Sequence, residues 1–202
     1  MKRQKVLSFF SLRILWDTPH LVFLTAMLLC GALAGSCTGL RSGHSEGALL
    51  EQIAVQMVEQ ARIGDGNVWM LLARTLAGAL AWQGAAILCG MLRGHSLLLS
   101  GLCAARGFLL SFAAGAFLST LQLRGLLLAL MTGGVSAVVT VPCLLLTASA
   151  CFLAGQDAPN NRKGYWYALA RFRSAIALCT LLACCGAILR IPMLFLAAKI
   201  GL

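Results

Sequence analysis

The chain has 202 residues, of which 60% are apolar and 11% charged, with a mean hydropathy of +0.88. Such a composition excludes both an ordinary soluble domain and a disordered chain. The net charge of +10 would suit nucleic acid, but the basic residues fall in short segments between apolar stretches rather than along one face, so no nucleic-acid partner is expected.

Five apolar stretches, residues 19–40, 68–92, 96–123, 125–155 and 174–199, each reach or exceed the roughly 20 residues that a helix needs to cross a bilayer. The prediction is an all-α, polytopic membrane bundle of five transmembrane helices plus one external amphipathic helix, in a multi-pass cell-membrane protein. Residues 1–18 carry Lys2, Arg3, Lys5 and Arg13 and form a cytoplasmic N-terminus. Ala32-Leu33-Ala34 imitates a signal-cleavage site, yet the long leader containing Asp17 and Pro19 favours an uncleaved first span. Asp17-Thr18-Pro19 is a helix-start signal, and Gly31 with Gly35 forms a GxxxG pair that allows close helix approach.

Residues 41–67 hold four of the six acids, Glu46, Glu51, Glu59 and Asp65, and are placed outside. Within them, 48–63 predicts an amphipathic helix whose apolar face carries Leu50, Ile53, Met57, Val58 and Ala61. That face suits packing over the bundle or lying on the membrane, and secondarily docking of a partner. The third span carries Gly107, Ser111, Gly115 and Ser119, a small residue at every fourth position and hence a helix-contact ridge. Gly125 opens the fourth span, which Gly133-Gly134 and Pro142 interrupt, predicting a kink. The loop 156–173 mixes Arg162, Lys163, Arg171 and Arg173 with Tyr165, Trp166 and Tyr167, the composition of an interfacial anchor at the cytoplasmic face. With five spans, nine Lys and Arg fall inside and four outside, which predicts N-in and C-out.

Arg74, Arg106 and Arg190 fall within apolar stretches, and no acid accompanies them there. The preferred reading puts each at an interface, with the second span starting at Thr75, the third at Gly107 and the fifth ending at Leu189. Ser96 to Ala105 would then be a short interfacial or re-entrant piece. The competing reading buries an arginine against a carboxylate from a partner protein. No catalytic, cofactor or metal site is expected: the three histidines lie near segment ends, no paired carboxylates occur in the spans, and eight of nine cysteines act as small apolar residues.

Residues 71–150 resemble the stage II sporulation protein M family, integral membrane proteins of endospore-forming bacteria and their relatives. The resemblance rests on Gly90, on Arg106-Gly107-Phe108 followed by Ser111-Phe112-Ala113-Ala114-Gly115, on Arg124-Gly125-Leu126-Leu127-Leu128, and on Val141-Pro142. It implies a non-enzymatic membrane scaffold of the engulfment complex in the mother-cell membrane, which localises two peptidoglycan-degrading partners, sporulation proteins D and P. The chain departs from the family by carrying Arg74-Thr75 where many relatives have Asn, and by lacking an acidic-aromatic tail. The alternative class is a membrane component of a transporter or small-solute or anion channel, and a homo-oligomer is compatible with either reading.

Overall fold

The computed structural model describes residues 19–45, 68–157 and 162–199, and these are helical apart from short turns. Helices α1 (Pro19–Ser45), α2 (Val68–Met91) and α3 (His95–Ala129) are followed by a π-helical stretch, Leu130–Gly134. After it come α4 (Val135–Asp157), the short α5 (Arg162–Ala170) and α6 (Arg173–Lys199). Five of the six, all but α5, are long and apolar enough to cross a membrane. The candidate amphipathic helix 48–63, with Leu50, Ile53, Met57, Val58 and Ala61, lies outside the described residues.

Helix directions follow from which ends meet. His20 at the start of α1 stacks on Phe152 near the end of α4, ring centroids 4.5 Å apart, and His95 at the start of α3 meets the same ring edge-on at 5.4 Å. Gly90, near the end of α2, lies against Cys151 of α4, so α2 and α4 run together and oppose α1 and α3. Along α6, Cys179 packs on Cys143 while Gly186 packs on Val139, an antiparallel pairing with α4. Successive long helices therefore alternate in direction, as five consecutive crossings require.

The turn between α2 and α3 is only Leu92-Arg93-Gly94. Gly94 adopts a φ of 85°, the left-handed conformation that ends a helix cheaply only without a Cβ. Its carbonyl accepts from the amides of Leu97 and Leu98 at 3.0 and 3.2 Å, starting α3 directly.

The buried core gathers at this end of the bundle. Leu24 of α1, Ala86 of α2, Leu99 and Cys103 of α3, and Leu144, Ala148, Cys151, Phe152 and Ala154 of α4 form one cluster that α5 closes with Tyr165 and Leu169. Tyr165 is 2% exposed, and its hydroxyl donates to the Ile87 carbonyl at 2.9 Å. Gly90 makes this possible, since a Cβ there would lie 2.6 Å from the Tyr165 hydroxyl oxygen. Burial, with the Cys151 thiol second, holds the Tyr165 phenol well above its ordinary pKa.

Two boundaries differ from the sequence expectation. Arg124-Gly125 is not a break between spans: helical backbone continues through Gly125 to Ala129, and the π-helical stretch takes in Gly133-Gly134. Because His95 lies beside Gly155, the chain must reverse between them. A π-helical register shift gives a helix a way to change direction without a loop. Ser96 to Ala105 is no separate piece, because α3 is continuous from His95. Pro142 sits in the first half of α4 with its ring exposed.

Candidate functional site

Two features stand out from the bundle: the seam between α1 and α3, and a pair of arginines within the spans.

The seam is parallel and made of small residues. A Cβ on Gly31 would overlap the Ala104 backbone, and one on Gly35 would overlap the Phe108 carbonyl and meet the Ser111 hydroxyl at 2.5 Å. On Gly39 it would lie 2.5 Å from the Phe112 carbonyl oxygen. From the other side, a Cβ on Gly107 would overlap the Leu28 carbonyl, and one on Gly115 would lie 3.2 Å from that of Ser36. The step of four residues on both helices keeps this face aligned over about three turns, and backbones approach so closely only where side chains are absent. Hydroxyls along this ridge are satisfied within their own helix: Ser111, in the seam, donates to the Gly107 carbonyl at 2.9 Å, and Ser119, one turn beyond Gly115, to that of Ala116 at 2.9 Å. The two small-residue motifs are therefore each other's partner. Gly39, which extends the Gly31/Gly35 pair by another turn, belongs to the seam and carried the same signal: its spacing of four.

The arginines divide. Arg74 is exposed, in the second turn of α2. Arg106 lies eleven residues (106 − 95) past the start of α3, about 16 Å along it at 1.5 Å per residue, which is away from that helix end and about half the length of the 23-residue α4 beside it. Its guanidinium lies over the Trp82 ring of α2, 5.0 Å from the centroid. Arg190 is half-buried in α6 and its charge is within electrostatic reach of Arg106. Long basic side chains reach headgroups readily near helix ends, whereas the Arg106 guanidinium is turned onto an aromatic face of the neighbouring helix.

Nearby helices bury polar atoms without a hydrogen-bond partner: Oε1 of Gln83, which is 4% exposed, and the hydroxyls of Thr140 and Ser149. Among the described residues no group of three His, Cys, Asp or Glu comes together.

At the core end, the loop that sequence reading treats as an anchor is an amphipathic short helix. Tyr165, Leu169 and Phe172 turn into the bundle, whereas Trp166 and Tyr167 are 53% and 86% exposed and Lys163, Arg171 and Arg173 are exposed beside them. One of the three aromatics thus serves the core.

No protein-family model, curated protein or solved structure matches this chain.

Proposed function

We propose that the chain is a non-enzymatic membrane scaffold of the kind its resemblance to stage II sporulation protein M implies, gathering peptidoglycan-degrading partners, sporulation proteins D and P, at the septal membrane. The observation that carries the reading is the seam: Gly107, Ser111 and Gly115, which bear the resemblance, form with Gly31, Gly35 and Gly39 a tight parallel helix pair. A seam of this kind favours rigidity over an opening and closing path, which suits a platform more than a carrier. The basic residues Arg93, Lys163, Arg171 and Arg173 cluster at the end where α2 ends and α6 begins, which supports placing that end in the cytoplasm, with N-in and C-out.

A transporter or anion channel is the second reading, favoured by Arg106 and Arg190 inside the spans. Deleting the gene in the source organism separates the two. Arrest at septum engulfment with normal solute uptake is expected; completed sporulation would refute the scaffold.

A further inference from the structure

A charge in the middle of a membrane helix costs about 2.5 to 3.5 kcal/mol on insertion scales and is usually offset by an opposite charge. Among the described residues Arg106 has no such offset. Apart from Asp157, at the far terminus of α4, no Asp or Glu occurs in any of the five candidate spans, and the nearest named charge is the like-signed Arg190. The Trp82 face attracts the guanidinium but does not neutralise it.

The surroundings of Arg106 show from which side a counter-charge would come. On one flank of α3 lie Leu99 and Cys103, both fully buried. On the other lie Leu109, 50% exposed, and exposed Ala113. On α2, one turn before Trp82, Gly78 is exposed and a Cβ there would meet nothing within 4 Å. Arg106 thus sits at the lipid-facing edge of the α2–α3 contact, beside small side chains and open space. Depth selects the occupant. Lipid phosphates lie about 15 Å from the bilayer middle, half of the roughly 30 Å hydrocarbon core, and an aqueous anion would have to leave water to arrive laterally. A carboxylate at this depth is carried by a membrane helix.

We propose that Arg106, presented over Trp82 at the outer edge of the α2–α3 contact and supported by Arg190, is a docking point for a membrane helix of a partner protein that carries an Asp or Glu near its centre. This deepens the scaffold reading and rests on it: the arginine supplies the charge, and Ala105, Gly78 and Ala113 leave room for the incoming backbone.

The test uses the full chain, fluorescently labelled at its N-terminus, in phosphatidylcholine vesicles with synthetic Leu/Ala membrane helices as probes. Energy transfer is measured to a host helix with one central Glu, to its Gln and Leu counterparts, and to a host with the Glu moved to its end. At least tenfold tighter association of the central-Glu host is expected, lost in Arg106→Gln and weakened in Arg190→Gln. Equal association of the Leu host, or full association with Arg106→Gln, would overturn the proposal, as would displacement of the host by sodium acetate, which would mark a water-accessible anion site. Arg106→Leu is expected to keep or raise the Tm in detergent, since it removes an unbalanced charge; a lower Tm would mean that the chain already balances it, and would also overturn the proposal. Because this assay is independent of any sporulation phenotype, host binding without an engulfment defect would refute the scaffold alone.

Discussion

The α1–α3 seam makes a graded prediction, because each glycine is hemmed in to a different degree. A Cβ in ordinary contact stands 3.4 Å or more from its neighbour. Gly115→Ala brings its Cβ to 3.2 Å from the Ser36 carbonyl oxygen, so the helices need part by only about 0.2 Å, within the give of a packed interface. Gly39→Ala requires about 0.9 Å from the Phe112 carbonyl, and Gly31→Ala and Gly107→Ala require more, because each meets backbone at overlap distance. Backbone cannot swing aside as a side chain can, so those two substitutions should fall at or above the upper end of the roughly 1–3 kcal/mol typical of overpacking. Gly115→Ala should cost less than about 1 kcal/mol. Gly78→Ala and Gly84→Ala meet nothing within 4 Å and should be neutral or stabilise by about 0.5 to 1 kcal/mol through helix propensity. Reversible unfolding of the purified protein in mixed micelles, followed by circular dichroism, measures the series. The double variant Gly31→Ala/Gly107→Ala should lose less than the sum of its singles, since one separation of the helices relieves both overlaps. Equal losses at Gly39, Gly107 and Gly78 would refute a seam set by backbone approach.

Three further outcomes follow from other parts of the fold. Tyr165→Phe should cost roughly 1 kcal/mol by removing the hydrogen bond to the Ile87 carbonyl, read in the same unfolding assay. The Tyr165 pKa is raised in the folded state, so its protonated form is favoured there: stability should be complete below about pH 10 and fall as pH rises beyond it, and Tyr165→Phe should flatten that fall in a pH series of unfolding midpoints. Gly94→Ala should cost about 1 to 2 kcal/mol although space is open around it, because only the positive φ opposes a side chain, and Gly94→Asn should cost less. Reporter fusions active only in the periplasm should be silent after Gly94 and Asn161 and active after Gly64 and Leu202; an inactive reporter after Leu202 would refute the C-out orientation.

Sequence by itself determined how many helices are long and apolar enough to cross a membrane, because the hydrophobic requirement of a bilayer is local: each helix must satisfy its own backbone and present apolar side chains along about 20 residues. It also marked Gly31, Gly35, Gly107, Ser111, Gly115 and Ser119 as contact positions, since a spacing of four puts them on one face whatever they touch. Which stripe meets which was decided only by tertiary packing. Any small-residue face can accept any helix, and α1 with α3 is one pairing among several that the same pattern allows. The surroundings of Arg106 were likewise decided by the fold, because hydropathy permits either a helix that begins at Gly107 or one that begins at His95, and α3 runs unbroken from His95 with the guanidinium over the Trp82 ring. The boundary between the third and fourth spans was hidden for a related reason: Arg124-Gly125 has the composition of a turn, but the backbone there is helical, and a π-helical stretch farther on spans the glycine pair. Burial of Tyr165 beneath Gly90 is the same lesson at one residue: its neighbours Trp166 and Tyr167 share its chemistry, and only the packing of α5 on α2 and α4 separates a core phenol from two interfacial rings.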